Sequence, residues 1–242
     1  MRAIFPPEQE QTLVREFLSD SRERFFVDVG AADPQFGSQT WHLEAIGWSG
    51  VLIEPRPDMA ARLRSERRAK VYECACSRPA DVERSMQLHL RGGYSSLRQS
   101  LVIAGLEHQG TVSVSVRILD DILADAKAPC PLDFVSIDVE GFEIAVLEGF
   151  NLGYWRPRLI LIEDHAQDLS LHRALLQRGY KWVRRTGLNA WYVPADHPMR
   201  VGWLGRLQFL RKYYLSLPTR RVRDAVRRAR AFTGVLPPSR GR

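Results

Sequence analysis

At 242 residues, with 45% hydrophobic and 26% charged side chains, the chain can bury the core of one α/β domain and carry an appendage besides. No apolar run approaches the ~18 residues needed to cross a bilayer, and the opening MRAIFPPEQEQ has no apolar signal core, so the expected location is cytoplasmic. The net charge of +7 divides unevenly: from Arg200 onward twelve Lys/Arg face a single acid, which leaves that tail at +11 and residues 1–199 at −4. A mildly acidic body argues against a nucleic-acid-binding core and marks the tail as a separate device.

Residues 7–24 place Leu13, Phe17 and Leu18 at helical spacing, so a short amphipathic helix leads in. FFVDV at 25–29 is an apolar, β-branched run broken by one acid, the pattern of a strand buried on both faces. Gly30-Ala31-Ala32 then suits a tight turn whose backbone N–H groups meet a ligand. Ser38 can cap a helix over 40–46, which Gly47 ends. A second buried strand, at 51–53, delivers Glu54. In doubly wound folds an acid there lies beside the first turn and accepts hydrogen bonds from ribose hydroxyls.

Further along, 57–70 reads as an Arg-rich helix, solvated outside Met59 and Leu63, and 71–75 as a third strand. Residues 86–90 form another strand, followed by a Gly/Ser loop at 92–97. VSVSV at 112–116 alternates like a half-exposed strand, and 119–126 is a short helix. Cys74, Cys76 and Cys130 are odd in number, and the first two are too close for a CxxC pair, so reduced thiols are expected.

The second half repeats the design. A buried strand at 134–137 ends in Asp138, Glu140-Gly141 turns the chain, and a helix covers 142–148. A strand at 159–162 ends in Glu163-Asp164-His165. A helix at 169–178 and an antiparallel hairpin of 180–184 with 189–193 close the domain. Strand alternating with helix means a mostly parallel sheet with both faces covered. Asp28, Asp138 and Glu163 then bring acids to one edge, where open α/β sheets bind ligands.

FVDVGA at 26–31, VLIEP at 51–55 and IDVEGFEIAVLEG at 137–149, supported by LDDI at 119–122 and RPRLILIE at 156–163, resemble the FkbM family of S-adenosylmethionine-dependent methyltransferases, a branch of the class I Rossmann-like group. The resemblance runs over about residues 25–193 and implies a seven-strand sheet with an antiparallel last strand. It implies methyl transfer, usually to a hydroxyl of a sugar, glycan, glycolipid or polyketide-type acceptor. Carried onto this chain, it implies Asp28, Gly30 and Ala31 along the methionine part of the cofactor. Glu54 would hold the ribose with Pro55 and Arg56 beside it, Cys74-Ala75 would approach the adenine, and Asp138, Glu140 and Glu163 would face methyl group and acceptor. Ala32 departs from the family's pattern, where a second glycine is common.

A sugar hydroxyl needs a general base or a metal to help it lose its proton. His165, behind two acids at a strand's active edge, is the preferred base, against a plainer role capping the next helix or facing solvent. Asp138 orients that base or accepts from the acceptor hydroxyl. A divalent ion such as magnesium on Asp138, Glu163 and Asp164 remains open, whereas zinc lacks its usual ligands. Tyr94-Ser95-Ser96 reads as a connector able to touch the acceptor, and the other histidines read as structural or surface residues. Two competing functions stay in view. An NAD-dependent oxidoreductase would use the first turn and Glu54, but Ala32 and Pro34 disagree with its glycine spacing; a non-catalytic membrane or protein adaptor should have lost the acids that this chain retains.

The methyltransferase domain is placed at 1–198 and a basic amphipathic helical tail at 199–242. In the tail, Trp203, Leu204, Leu207, Phe209, Leu210, Tyr213, Tyr214 and Leu217 are interleaved with Arg206, Arg211 and Lys212, and a second helix resumes after Pro218. Such a helix can lie on an anionic membrane, here the inner face, bringing the site to a lipid-linked or envelope glycan; it can equally pack on the body or on a second subunit. Nucleic acid is not an expected partner.

Overall fold

The computed structural model describes residues 7–82, 84–90, 95–97, 110–166, 168–215 and 218. A seven-stranded sheet forms its centre. In chain order its strands are β1 (Phe25–Val29), β2 (Ser49–Ile53), β3 (Lys70–Tyr72), β8 (Phe134–Ile137), β9 (Leu159–Glu163), β10 (Tyr180–Thr186) and β11 (Asn189–Pro194). Four short strands, β4 (Ala75–Cys76), β5 (Met86–Leu90), β6 (Gly110–Val114) and β7 (Val116–Arg117), form two accessory ribbons. The spatial order is β10-β11-β9-β8-β1-β2-β3, parallel from β9 to β3, with β11 antiparallel to both its neighbours. The last strand is therefore the antiparallel one, as the resemblance implied.

Side-chain alternation along these strands builds two cores. Phe26, Leu52, Phe134 and Leu161 point to one face, covered by α1 (Pro7–Phe17), α2 (Trp41–Glu44) and α3 (Pro57–Glu66) through Val14, Leu43 and Leu63. Val27, Val29, Val51, Ile53, Val135 and Ile137 point to the other. There α4 (Leu119–Asp125), α5 (Glu143–Glu148), α6 (Leu152–Trp155) and α7 (Ser170–Gln177) pack Leu119, Val146, Trp155 and Leu175.

Several expected elements change in detail. The third strand stops at Tyr72; Ala75 and Cys76 instead pair with Val116 and Arg117 in a separate ribbon. The Arg-rich helix ends at Glu66 because Arg67 turns inward. Its guanidinium is buried against Glu44 at 2.8 Å and also donates to Pro34 O, Ser38 Oγ and Thr40 Oγ1, so this arginine is not solvated. The Ser38 hydroxyl accepts the N–H of Trp41 at 3.1 Å, but the N-cap of this single-turn helix is Thr40, whose side chain makes no capping bond. Residues 152–155 form α6, opened by Asn151 accepting the Tyr154 N–H, a helix that four residues cannot announce by periodicity.

The tail begins with α8 (Trp203–Leu210), continued by a wider turn over Arg211–Leu215. The second helix expected after Pro218 lies outside the described residues. All three cysteines are free, Cys74 and Cys76 buried and Cys130 exposed. Among the described residues no helix is long and apolar enough to cross a membrane.

Candidate active site

A cleft of about 620 Å³ opens at the carboxyl ends of β1, β2 and β8, within the size range of small-molecule sites. Its floor is the turn after β1. Gly30 has φ +88°, and a Cβ there would lie 1.8 Å from the Asp138 carbonyl oxygen, so only glycine lets the turn pass the end of β8. Ile53 O accepts the N–H groups of Gly30 at 2.9 Å and Ala31 at 3.1 Å, while Ala32 donates its own to Glu54 Oε2 at 2.9 Å. These three N–H groups are thus engaged within the protein, not free for a ligand as the sequence suggested. Ala32 takes φ +47°, a left-handed conformation where the family's glycine would rest without strain.

Glu54 is buried at the end of β2. Its Oε1 accepts the Arg56 N–H at 2.9 Å, so one carboxylate clamps the turn and the start of α3 together. Burial still pushes it above the usual carboxylate range against the pull of those donors. Glu54, Pro55, Arg56, Gly30, Cys74 and Ala75 all line the cleft. Asp28 and Ala31 do not. Asp28 turns under the β1 strand end, where its Oδ2 accepts the Thr40 hydroxyl at 2.6 Å, and Ala31 is buried with the core.

On the other wall Asp138 and Glu140 face the same cleft. Because β8 and β9 run parallel in register, Ile137 beside Ile162, Asp138 and Glu163 leave the sheet at one rim. Asp138 opens to the cleft, yet the protein around it and the charges of Glu163, Glu140 and Glu143 push its carboxyl well above its ordinary value. Glu140, in a left-handed conformation with φ +51°, is raised to about 7 by burial and by Glu163. His165 Nε2 sits 3.3 Å from Glu163 Oε2 and 4.0 Å from Glu140 Oε2. The adjoining Glu163, with Glu140 and Glu143 beyond, outweighs burial and raises the imidazole to about 9. An imidazole that is already protonated at neutral pH has no lone pair for a substrate proton. His165 therefore does not suit the base role that its position suggested.

Asp164 leaves the cluster altogether. Its Oδ1 accepts the Ala166 N–H at 2.6 Å, and its Oδ2 accepts the Tyr213 hydroxyl and lies 3.5 Å from Arg185. Among the described residues the group that could share a cation is instead Glu140, Glu163 and His165, whose ligand atoms lie within 4.8 Å of one another. Sequence reasoning missed Glu143, buried at the start of α5 with Oε1 accepting the Gly141 N–H, because a Glu in a first helical turn looks like any other. It also missed Phe36, Met59 and Leu88 in the cleft wall. The Gly/Ser loop did signal itself: Ser95, Ser96 and Leu97 line the cleft, and the Ser96 hydroxyl donates to Glu140 O at 2.8 Å; Tyr94 lies outside the described residues.

A larger hollow of about 950 Å³ lies between α1, β10 and the tail, but it is lined by Arg184, Arg185 and Arg200 and gathers no acids. The acids line the smaller cleft.

A doubly wound sheet with a glycine turn, a clamped acid after the second strand and acids at the fourth and fifth strand tips of the seven-stranded sheet defines a Rossmann-like α/β domain with its cleft at the carboxyl ends of the strands. Residues 28–182 match the model of the methyltransferase FkbM domain, and the chain belongs to that family of methyltransferases. The crystal structure of methyltransferase FkbM from Methylobacillus flagellatus KT is similar at 17% identity and a TM-score of 0.41, over 78% of this chain and 50% of that one. This chain thus spans about half the length of that protein. No curated protein matches it.

Proposed function

We propose that the chain is an S-adenosylmethionine-dependent O-methyltransferase whose acceptor is a hydroxyl of a sugar, glycan, glycolipid or similar natural product. The observation that carries the reading is the electrostatics of the cleft: among the described residues Asp33, Glu54, Asp138 and Glu140 line it against one cation, Arg56. A cleft lined by carboxylates attracts a cationic ligand and repels a pyrophosphate. That favours a sulfonium nucleoside over NAD, which Ala32 and Pro34 already disfavour. The Gly30 approach and the Glu54 clamp fit the same ligand, Glu54 through the lone pairs its two backbone donors leave over. An adaptor would have no use for four retained acids in one cleft.

When bound, the cofactor supplies an electrophilic methyl group. The residues of this chain do the rest. Glu54 holds the ribose, and Cys74 and Ala75 border the adenine. Glu140, raised to about 7, is matched to neutral pH as the general base and takes the acceptor's proton on its carboxylate. His165, as imidazolium, is a positioning residue that keeps Glu140 and Glu163 from repelling one another out of place. Asp138 orients the acceptor. A second reading puts a divalent cation on Glu140, Glu163 and His165, favoured by their mutual spacing.

Calorimetry with S-adenosylhomocysteine and with NAD tests the cofactor: the first should bind and the second should not, and the reverse would overturn the reading. Labelled S-adenosylmethionine offered with envelope sugars and lipid extracts should label an oxygen, far less so with Glu140→Gln. Transfer that survives EDTA supports the imidazolium arrangement, and transfer lost to EDTA and restored by magnesium selects the cation.

A further inference from the structure

The first tail helix divides its faces. Phe209 and Tyr213, four residues apart, pack on the body: Phe209 lies 5.1 Å from the Trp182 ring and 4.8 Å from His172, and Tyr213 is buried. Gly205 lies on the same side, where a Cβ would meet Val201 at 2.9 Å and stand 3.9 Å from the Trp182 ring. The Tyr213 hydroxyl donates to Asp164, one residue beyond Glu163, which fixes the helix relative to the catalytic rim.

A second stripe has no such cover among the described residues. Trp203, Leu207, Leu210 and Tyr214 follow helical spacing and are 69%, 48%, 45% and 53% exposed. Arg206 and Arg211 fall on either flank of that stripe, and residues 199–215 contain Arg200, Arg206, Arg211 and Lys212 with no acid. The body, residues 1–199, carries −4, whereas the segment with the apolar stripe, residues 200–215, carries +4.

We infer that this face docks on the surface of an anionic lipid bilayer. Tryptophan and tyrosine sit at the headgroup level, leucines reach the acyl boundary, and flanking arginines meet lipid phosphates. Nucleic acid fits worse, because Leu207 and Leu210 offer no ring on which a base can stack. The helix rests on the body by one face and on the lipid by the other, so the two roles open to the tail belong to one element. Docked this way, the enzyme is held at the surface through a segment bonded to the neighbour of Glu163.

The test is co-sedimentation of the full chain with vesicles of phosphatidylcholine alone and of phosphatidylcholine with phosphatidylglycerol. Wild type should bind the anionic vesicles at least tenfold better than the neutral ones, and less as salt rises, since each basic residue near such a surface is worth about fivefold. Trp203→Ala/Leu207→Glu should lose at least tenfold of that binding while keeping the wild-type melting temperature and S-adenosylhomocysteine affinity. Tyr154→Ala, which removes an exposed aromatic ring elsewhere, should bind vesicles as wild type does. Wild type that ignores anionic vesicles, or a double variant that binds them undiminished, overturns the inference. So does a wild-type dimer in light scattering that the double variant alone abolishes, since a second copy would then occupy the stripe.

Discussion

Replacing Glu54 by Gln separates the two duties assigned to its carboxylate. In the wild type, Oε2 accepts from Ala32 and Oε1 from Arg56, each at 2.9 Å, inside a residue that is only 4% exposed. An amide keeps one oxygen and turns an NH₂ toward the other backbone N–H, so one buried donor loses its acceptor. That costs about 1–3 kcal/mol. In a chain of this length each kcal/mol lowers Tm by roughly 2–4 °C, so a drop of about 2–12 °C is expected in scanning fluorimetry. The same change removes the charge from any bond to the ribose, about 1.5–3 kcal/mol, or roughly ten- to a hundredfold in S-adenosylhomocysteine affinity by calorimetry. A normal Tm would refute the clamp. A lowered Tm with unchanged affinity would leave Glu54 as a brace for the turn and refute its contact with the ligand.

The remaining predictions concern the pH profile, the buried ion pair and the turn. The rate constant kcat/KM should rise through about pH 7 as Glu140 ionises and fall near pH 9 as His165 loses its proton; Glu140→Gln should remove the acid limb and His165→Gln the alkaline one. Both groups are raised above their ordinary values. The stability His165 contributes is complete below pH 6.5 and gone above about 9, and that of Glu140 is complete below 4.5 and gone above about 7. Tm should therefore fall less between pH 5 and 9 in the Glu140→Gln/His165→Gln double variant than in wild type. Arg67→Met takes the buried guanidinium from the Glu44 carboxylate and leaves it only Arg68, a loss of up to about 3–5 kcal/mol seen as a Tm lower by up to roughly 6–20 °C; adding Glu44→Leu should restore much of it. Gly30→Ala must move either the turn or the end of β8, so S-adenosylhomocysteine binding should fall more than tenfold in calorimetry; near-normal affinity would show that the turn is not the cofactor's seat.

The order of strands and helices, the glycine turn, and the delivery of Glu54, Asp138 and Glu163 to one rim were legible in the chain itself. They follow from local rules: a side-chain period of two in strands, glycine at a left-handed turn, and parallel strands that all end on the same side. What only the tertiary structure decided is which polar groups face the cleft. Asp28 and Asp138 look alike in sequence, yet Thr40 captures the first beneath the turn. Asp164 adjoins Glu163, but Tyr213, 49 residues away, draws it to the opposite purpose. His165 stands where a base belongs, yet Glu163 beside it, with Glu140 and Glu143 beyond, raises its imidazole to about 9. A side chain's direction and charge depend on partners that chain folding brings from far along the sequence, and those partners are read from proximity rather than from pattern.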